Sequence, residues 1–516
     1  MFLKSYISKN TFRDSVYLMR LSGVVREFAG VIEAEVIIGT DHNKKFLRSG
    51  GLWTEEIEKE AGVNDLIIAV KAEDEEKADQ AIQGALEELN KLVERENLLG
   101  EFVPRTFETA LKNFSGANLA LLSIPGRYVQ REAEQIIDAG LHLMIFSDNV
   151  SLEAEIDLKK KALEKGLLVM GPDCGTAIIN GIPLAFANEV KRGKIGIVAA
   201  AGTGLQEVST LISNLGEGIS QGIGTGGRDV KKSVGGITMI QALKALIQDP
   251  ETAVIVIVSK PPDPEVSEKV LAVAGESEKP VVVNFIGGDP DQVRKAGCEP
   301  AGNLKEAAHK AVNLARGLPA ADDKESDPVD LQLAAAEKGR YKSGQRYLRA
   351  LYSGGTLAYE ALVMLQKEIG TIYTNLSSDL AEKIADVYKS QEHTIIDFGE
   401  DEFTQGRLHP MIDPSLRNSR IVAEGKDPET AVIALDLVLG YNAHPDPAGS
   451  ALEAIREAKE IAAKDKRHLT FVTTVCGTDE DFQKRNEQVA KLKSEGVLVF
   501  PSNADSALFL AGLLSL

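Results

Sequence analysis

The period at which apolar residues recur changes along this chain, and each change marks a new element. Phe12, Val16 and Met19, then Leu21, Val25 and Phe28, return at steps of three and four, which puts them on one face of a helix. Val31 to Gly39 alternates as a strand does, and Asp65 to Ala72 reads as another. Glu75 to Glu96 carries the pattern of a long amphipathic helix. Residues 1–105 therefore predict a small α+β unit, a three- or four-stranded sheet with helices on one face. Its polar stretch Thr40-Asp41-His42-Asn43-Lys44-Lys45 reads as a helix cap and an exposed first turn.

From residue 106 the pattern becomes strand, helix, strand, helix, strand: Leu119 to Gly126, Val129 to Ala139, His142 to Ser147, Glu153 to Lys165 and Leu167 to Met170. Helical crossovers make such strands parallel, and parallel sheets take ligands in the loops beyond their carboxyl ends. Those loops hold Pro125 and Gly126, then Ser147-Asp148-Asn149, then Gly171, Pro172 and Asp173. Cys174 has no histidine near it in sequence and reads as an inert thiol; His142 reads as a packed core histidine.

Residues 191–320 form a second α/β pattern, with strands at Ala253 to Val258 and Val281 to Ile286 and a last helix from Lys305 to Arg316. Residues 321–346 read as a linker of mixed helix and coil. Residues 347–516 then repeat the 191–320 unit. Asp-Pro-Glu-Thr-Ala-Val-Ile stands at 249–255 and again at 427–433, an offset of 427 − 249 = 178. Gly202-Thr203 recurs as Gly355-Thr356 at an offset of 153, and Asn303 as Asn503 at 200. Matches in one unbroken order mark an internal duplication. Such units pack about a twofold axis, as homodimers do.

The duplication contains one motif twice: an apolar strand running into a Gly/Thr turn that opens a helix. The copies are Ile195 to Leu205, with Gly202, Thr203 and Gly204, and Leu348 to Leu357, with Gly354, Gly355 and Thr356. A helix's first turn leaves N–H groups without helical partners and carries about half a positive charge. Bare backbone there makes an anion site. Two such sites facing one another would share one anionic group; the plainer alternative is two tight turns of the sort any parallel sheet needs.

The charge of 58 − 77 = −19 argues against nucleic acid or an anionic membrane as partner, but leaves room for a local anion pocket. Cys174, Cys298 and Cys476 form no metal or redox motif, and no metal site is expected. Few, dispersed cysteines fit the cytoplasm. The first residues, Met1 to Ile7, lack a signal-peptide pattern, and no apolar run has the length of a membrane span.

Gly196-Ile197-Val198-Ala199-Ala200-Ala201-Gly202-Thr203-Gly204 resembles the phosphate-facing helix entry of the succinyl-CoA synthetase α subunit. Pro125 to Gly140 and Gly171-Pro172-Asp173 resemble the closing part of its CoA-binding domain, and residues 347–516 the ligase domain of the β subunit. With Leu351 to Glu360 and Asp397 to Arg407, the whole chain is similar to the FdrA family of acyl-CoA synthetase-like proteins. The resemblance implies an α/β fold in four parts: the α+β domain 1–105, a truncated Rossmann-like CoA-binding-type domain at 106–190, and two repeated flavodoxin-like parallel-sheet ligase-CoA domains at 191–320 and 347–516. It makes the two Gly/Thr turns phosphate-binding, the loops of Pro125, Gly126, Gly171, Pro172 and Asp173 ligand-binding, and CoA the candidate cofactor. In the synthetase the two helices face a phosphohistidine. Here Gly287 to Gly297 holds no histidine. The glycine-rich first turn of the CoA-binding domain and the nucleotide-binding domain of the β subunit also have no match. Neither a histidine relay nor ATP binding by this chain alone is expected.

A phosphate cradle remains. Acyl or carbamoyl transfer from a mixed anhydride needs such a cradle and a polarised carbonyl. Arg228, in Gly226-Gly227-Arg228-Asp229, and Arg407 with His409, in Gln405-Gly406-Arg407-Leu408-His409-Pro410, are the candidate catalytic groups, because the guanidinium fork binds two oxygens. Each loop also reads plainly as surface with a salt bridge. Three functions stay open: a catalytic subunit of a ligase or transferase, an FdrA-type subunit of an oxamate carbamoyltransferase in purine and allantoin breakdown, or a non-catalytic scaffold that binds CoA or a phosphometabolite. The partners expected are a small phosphorylated metabolite and other protein subunits, with oligomeric state open.

Overall fold

The computed structural model describes residues 1–9, 11, 15–40, 43–44, 47–48, 51–63, 65–98, 104, 106–320, 330–404 and 407–515. Asp41, His42 and Lys45 of the polar stretch, residues 321–329 of the expected linker, and Gln405 and Gly406 lie outside these. The chain divides into two compact units, residues 1–115 with 403–408, and residues 116–402 with 409–516. No helix among the described residues is long and apolar enough to cross a membrane.

In the first unit, β1 (Phe2–Ser8) and β2 (Val31–Ile38) both pair antiparallel with β3 (Leu66–Ala72). β3 is apolar and buried from Leu66 to Val70 because both its faces are covered there. From α1 (Ser15–Arg26), Leu18 and Val25 pack against Val36, Ile68 and Val70. On the opposite face Leu47, Leu52 and Ile57, the last from α2 (Glu55–Glu60), cover Ile37, Ile67 and Ala69. Helices on one face only was the expectation; α2, at 6 residues, is too short to leave a periodic signal. β1 was also unforeseen, since its buried residue is Ser5 rather than an alternating apolar set. α3 (Glu75–Leu98) closes the first face with Ala78 and Ala81.

In the second unit, β4 (Leu119–Leu122), α4 (Gly126–Asp138), β5 (His142–Ile145), α5 (Leu152–Glu164) and β6 (Val169–Met170) form the expected parallel sheet. The chain then leaves it. β7 (Thr176–Ile179) and β8 (Ile182–Ala185) make a hairpin on the edge of the next sheet, where Ile178 pairs antiparallel with Gly222. Residues expected to close the 106–190 domain thus belong to the one that follows. That sheet continues through β9 (Arg192–Ala199), β10 (Ile219–Gly224), β11 (Val254–Ser259), β12 (Val281–Phe285) and β13 (Glu299–Pro300), in the spatial order β13-β12-β11-β9-β10-β7-β8. Its main helices are α6 (Gly202–Asn214), α7 (Ile237–Gln248) and α8 (Leu304–Ala315).

After α9 (Leu331–Lys338) come β14 (Tyr347–Tyr352), α10 (Gly355–Leu365), β15 (Ile372–Thr374), β16 (Glu382–Lys383), β17 (His393–Asp397), α11 (Ser415–Lys426), β18 (Thr430–Val438), β19 (Thr470–Cys476), β20 (Leu498–Phe500) and α12 (Asn503–Ser515). Their sheet runs β16-β15-β17-β14-β18-β19-β20 and is parallel. The duplication holds for the inner elements, β9, β10, β11 and β12 answering to β14, β17, β18 and β19, while β15 and β16 are additions of the second repeat. α6 and α10 start 355 − 202 = 153 apart, α7 and α11 start 415 − 237 = 178 apart, and β12 and β19 start 470 − 281 = 189 apart.

One apolar cluster joins the two repeats. Leu205 and Val208 of α6, Leu304 and Ala308 of α8, Leu357 and Ala361 of α10, and Ala507 and Leu510 of α12 lie in it with Ile197, Val256, Ala350 and Val432 from both sheets. A fully buried leucine here stabilises by about 1.5–3 kcal/mol. The repeats also cap one another's last helix. Glu207 of α6 accepts the Asn503 N–H at the start of α12, at 3.1 Å, and Glu360 of α10 accepts the Leu304 N–H at the start of α8, at 2.7 Å. The two glutamates obey the same offset, 360 − 207 = 153. α9 is docked rather than loose: its Glu337 accepts from Thr470 Oγ1 at 2.6 Å.

Candidate functional site

β9 and β14 each pair on both sides in their sheets and hand over at once to a helix. α6 follows Ala201 and α10 follows Gly354, and neither cap residue supplies a side-chain hydrogen bond. The two starts touch. The Thr356 N–H donates to Thr203 Oγ1 at 3.3 Å. A Cβ on Gly354 would stand 2.9 Å from Thr203 Cγ2, and one on Gly204 3.0 Å from Thr356 Cγ2. Close approach, not backbone conformation, requires glycine at these two places. Gly202, Thr203, Gly204, Gly354, Gly355 and Thr356 are therefore brought together by the fold.

The two starts differ in charge. Asp436 in β18 is fully buried and accepts the N–H groups of Ser353 and Gly354, each at 2.7 Å. Arg417 of α11 supports it, with Nη1 3.0 Å from Asp436 Oδ1 and hydrogen-bonded to Ser353 Oγ. At the offset of these elements the first repeat carries Val258 (436 − 178 = 258) and Met239 (417 − 178 = 239). Among the described residues no carboxylate is recorded in the corresponding place beside α6. A Cβ on Gly202 would meet only Thr176 Oγ1 within 4 Å, at 3.5 Å. The start of α6 is open; the start of α10 already holds an internal anion.

Asp397, the last residue of β17, stands against the first turn of α10. It is 3% exposed, its Oδ1 accepts the Gly399 N–H at 2.8 Å, and its Oδ2 occupies the place a Cβ on Gly355 would need. Burial, and then the neighbouring Glu400, push its carboxyl up to about 7. Burial raises Glu400 and Asp436 as well. Lys260, just beyond β11, acts on both Asp397 and Glu400, and its Nζ lies 5.2 Å from the Tyr359 ring centroid. His409 packs on Phe186, ring centroids 5.4 Å apart, and its Nδ1 accepts the Met411 N–H at 3.3 Å. Burial, and then Arg417, hold it down at about 4, so at neutral pH its ring is uncharged.

A second convergence joins the three loops beyond β4, β5 and β6. A Cβ on Gly126 would collide with the backbone of Asp148 and Asn149, and one on Gly171 with Ile145 O. Pro125 and Gly126 thus meet the 147–149 loop, and the Asp173 N–H following Pro172 donates to Ser147 O at 3.0 Å. Burial, and then Asp148, push the Asp173 carboxyl up to about 6. Arg228 reaches this cluster from the first repeat. Its Nε lies 2.8 Å from Glu155 Oε2 and its Nη2 donates to Val150 O at 2.9 Å, so its fork is engaged as a strut. Arg407 is exposed and falls in the first compact unit, outside the body that carries the helix starts. Cys174 is buried, its thiol pushed up to about 12 by burial. His142 is not a core residue: it is exposed, its Nδ1 accepting the Leu168 N–H at 3.0 Å.

Lys260, Asp397, Arg417 and Asp436 escaped sequence reasoning as site residues. Asp436 left a signal, a lone carboxylate inside Thr-Ala-Val-Ile-Ala-Leu-Asp-Leu-Val, because a buried charge demands partners. The other three sit at strand ends or on a polar helix face and look ordinary until the sheets are assembled.

Comparison with known proteins places these elements. Residues 1–101 match the AllF heavy metal-associated domain, residues 190–287 the CoA binding domain, and residues 351–512 the CoA-ligase domain. The CoA-binding match covers the segment expected as the first ligase-type domain, not 106–190. The chain is 27% identical over 188 residues to the succinate–CoA ligase [ADP-forming] subunit alpha of Aquifex aeolicus (strain VF5), spanning 35% of this chain and 60% of that one. A likeness to a solved dinucleotide-forming acetyl-coenzyme A synthetase 1 of Ca. Korarchaeum cryptofilum covers 77% of this chain and 82% of that one, at 15% identity and a TM-score of 0.32. Soft metals are held by thiolate, thioether or imidazole ligands, and beside Met1 and Met19 this segment offers few. Residues 1–101 contain no cysteine and one histidine, His42, and among the described residues no group of three or more His, Cys, Asp or Glu could hold a metal ion. The side chains present do not fit a heavy-metal site. The segment matched to the CoA binding domain contains the start of α6, where a Cβ on Gly202 would meet only Thr176 Oγ1 within 4 Å. Over 510 residues, 98% of each chain, the sequence is 42% identical to the uncharacterized protein YahF of Escherichia coli (strain K12). The chain therefore belongs to the family of YahF, with a first domain that matches the AllF heavy metal-associated domain, followed by CoA-binding and CoA-ligase domains.

Proposed function

We propose that this chain is a catalytic subunit that transfers an acyl or carbamoyl group from its phosphate anhydride, holding the phosphate at the paired helix starts. The observation that carries this reading is the hydrogen bond from Thr356 N–H to Thr203 Oγ1, which sets the two starts side by side with the first left open. The N–H groups of Gly202, Thr203 and Gly204 would hold the phosphate as it leaves, and the dipole of α6 would stabilise its growing charge. The carbon–oxygen bond to phosphate breaks as the acceptor's bond to the carbonyl carbon forms. CoA, when bound, supplies a thiol acceptor; its phosphates could use the α6 start or the Pro125–Gly126 and Gly171–Asp173 loops. Companion subunits would supply the activated phosphate compound, in the cytoplasm, since Gly287 to Gly297 offers no histidine for a relay.

Carbamoyl transfer to oxamate is the second reading. It shares the support of the missing histidine, because carbamoyl phosphate, like an acyl phosphate, arrives already activated. A scaffold that binds without turnover is the third. A thermal-shift series with acetyl phosphate, carbamoyl phosphate and CoA tests all three. A ligand at about 100 times its dissociation constant adds about 2.7 kcal/mol. Stabilisation by a phosphate compound together with phosphate release supports catalysis; stabilisation without release under any subunit combination supports the scaffold. Melting temperatures unmoved by every phosphate-bearing compound would remove the proposal.

A further inference from the structure

A basic hollow lies at the other end of the second sheet. Lys342, Ser343, Pro428 and residues 464–467 line a cavity of about 470 Å³. Lys342 stands before β14, Pro428 before β18 and the 464–467 turn before β19, three strands that are neighbours in the sheet. The cavity is therefore at the amino ends of the strands, whereas α10 starts beyond the carboxyl end of β14. β14 is 6 residues long, which keeps the two places about 20 Å apart.

Charge singles the cavity out. In a chain of net charge −19, it is lined by Lys342, Lys464, Lys466 and Arg467 with one carboxylate, Asp465. Arg467 is the buried member, with 3% of its side chain exposed. Its Nη1 donates to Asp427 O at 3.0 Å and its Nη2 to Gly425 O at 2.7 Å, while its Nε has no hydrogen-bond partner. Both bonds go to carbonyls, and the exposed Asp465 carboxylate stays 3.6 Å away. A buried cation held this way is short of a counter-charge. Lys342 likewise donates to a carbonyl, Asp465 O, at 3.1 Å. Lys466 holds a φ of 56°, where glycine is the easier residue. The plainer reading is that Lys464 answers the negative carboxyl end of the helix Pro447–Lys464. The first repeat argues against it. Its matching turn before β12, residues 275–279 at the offset of 189, reads Gly-Glu-Ser-Glu-Lys, so a turn of this kind closes its helix with acids. There Lys279 bonds the carbonyls instead, Leu246 O at 2.9 Å and Asp249 O at 2.6 Å. The cations belong to the cavity of the second repeat, not to the fold.

We propose that this cavity binds a compact phosphate-bearing molecule with two or more negative charges. Its volume is that of a small-ligand pocket. Its lining has no aromatic ring to receive a base, so recognition is by charge. The lysines, on flexible stems, meet the outer oxygens, and the buried Arg467 supplies fixed positive charge. The proposal does not need the helix starts to bind anything.

Inorganic pyrophosphate is the probe. Calorimetric titration of the full chain is run with EDTA at about 0.1 M salt, where exposed charges more than about 10 Å apart are screened. Gly202→Asp is titrated beside wild type, because its carboxylate closes the α6 start as a rival seat. Both bind pyrophosphate. Adding Lys342→Gln and Lys466→Gln to either lowers the affinity at least about tenfold. Lys160→Gln with Lys367→Gln, exposed lysines elsewhere, changes it less than about twofold. Acetylation of wild-type lysines, read by mass spectrometry, needs no variant: pyrophosphate protects Lys342 and Lys466 and leaves Lys160 and Lys367 reactive. Absence of binding, a loss no greater than in the control pair, or equal acetylation with and without pyrophosphate overturns the proposal. Binding by wild type that Gly202→Asp abolishes places the anion at the helix starts and overturns it too.

Discussion

The starts of α6 and α10 share a backbone and differ in what stands beside it. Both follow a strand paired on each side, both open on Gly-Thr, and both lack a capping side chain. In the second repeat Asp436 accepts two N–H groups and Arg417 pairs with it; in the first, Val258 and Met239 occupy those offsets. A helix start is an anion site only while its N–H groups are unclaimed. Duplication supplied two, and one ion pair has turned the second into a buttress that positions Thr356 against Thr203.

The largest effect should come from breaking that pair. Asp436→Val leaves Arg417 buried without a counter-charge and two N–H groups without acceptors, and should destabilise the full chain by about 3–5 kcal/mol. The double variant Asp436→Val/Arg417→Met copies the first repeat and should recover much of the loss. Urea unfolding of both variants checks this, and equal losses would mean that the ion pair is not what distinguishes the repeats.

The reciprocal caps sharpen the comparison through pH. Burial pushes Glu360 up to about 7, well above an unfolded glutamate. Between the two values the native chain binds a proton that the unfolded chain has released. Stability from this group is therefore full below the unfolded pKa, lost as pH rises towards 7, and level beyond. Glu337 has the opposite sign: its hydrogen bond with His468 leads in holding it down at about 2, so its contribution is present above the unfolded value and lost as pH falls. Glu360→Gln should flatten the slope between about pH 4.5 and 7 while leaving the acid limb. A slope unchanged in this variant would place the proton elsewhere, Asp397 being the next candidate.

The smallest stability effect, and the most specific, is at Gly202. The position is open, so Gly202→Asp should fold normally, with a gain of about 0.3–1 kcal/mol from a carboxylate at a helix start. It should also weaken sulfate binding at least tenfold, since it gives α6 the internal anion that α10 already has. Retained binding would show that α6 is not the anion's seat.

The strands and helices around β9 and β14 were legible because apolar periodicity and the repeated Asp-Pro-Glu-Thr-Ala-Val-Ile report local structure and common descent. The two glycine-rich helix starts were legible as Gly/Thr motifs. Arg228 was legible as a charged loop residue, but its bond to Glu155 depends on α5 lying alongside. The hairpin of β7 and β8 was missed because its pairing with β10 is antiparallel and long-range.

Sequence alone determined that this is a duplicated, acidic, parallel α/β chain with two glycine-rich helix starts, since composition, period and self-similarity are written residue by residue. Only the tertiary structure decided that the starts touch, that one is closed by Asp436, and that Lys260, Asp397, Glu400 and His409 gather beside them. Those facts are distances between residues far apart in the chain, and charge at a site is set by whichever side chains the folded sheets bring within a few ångströms.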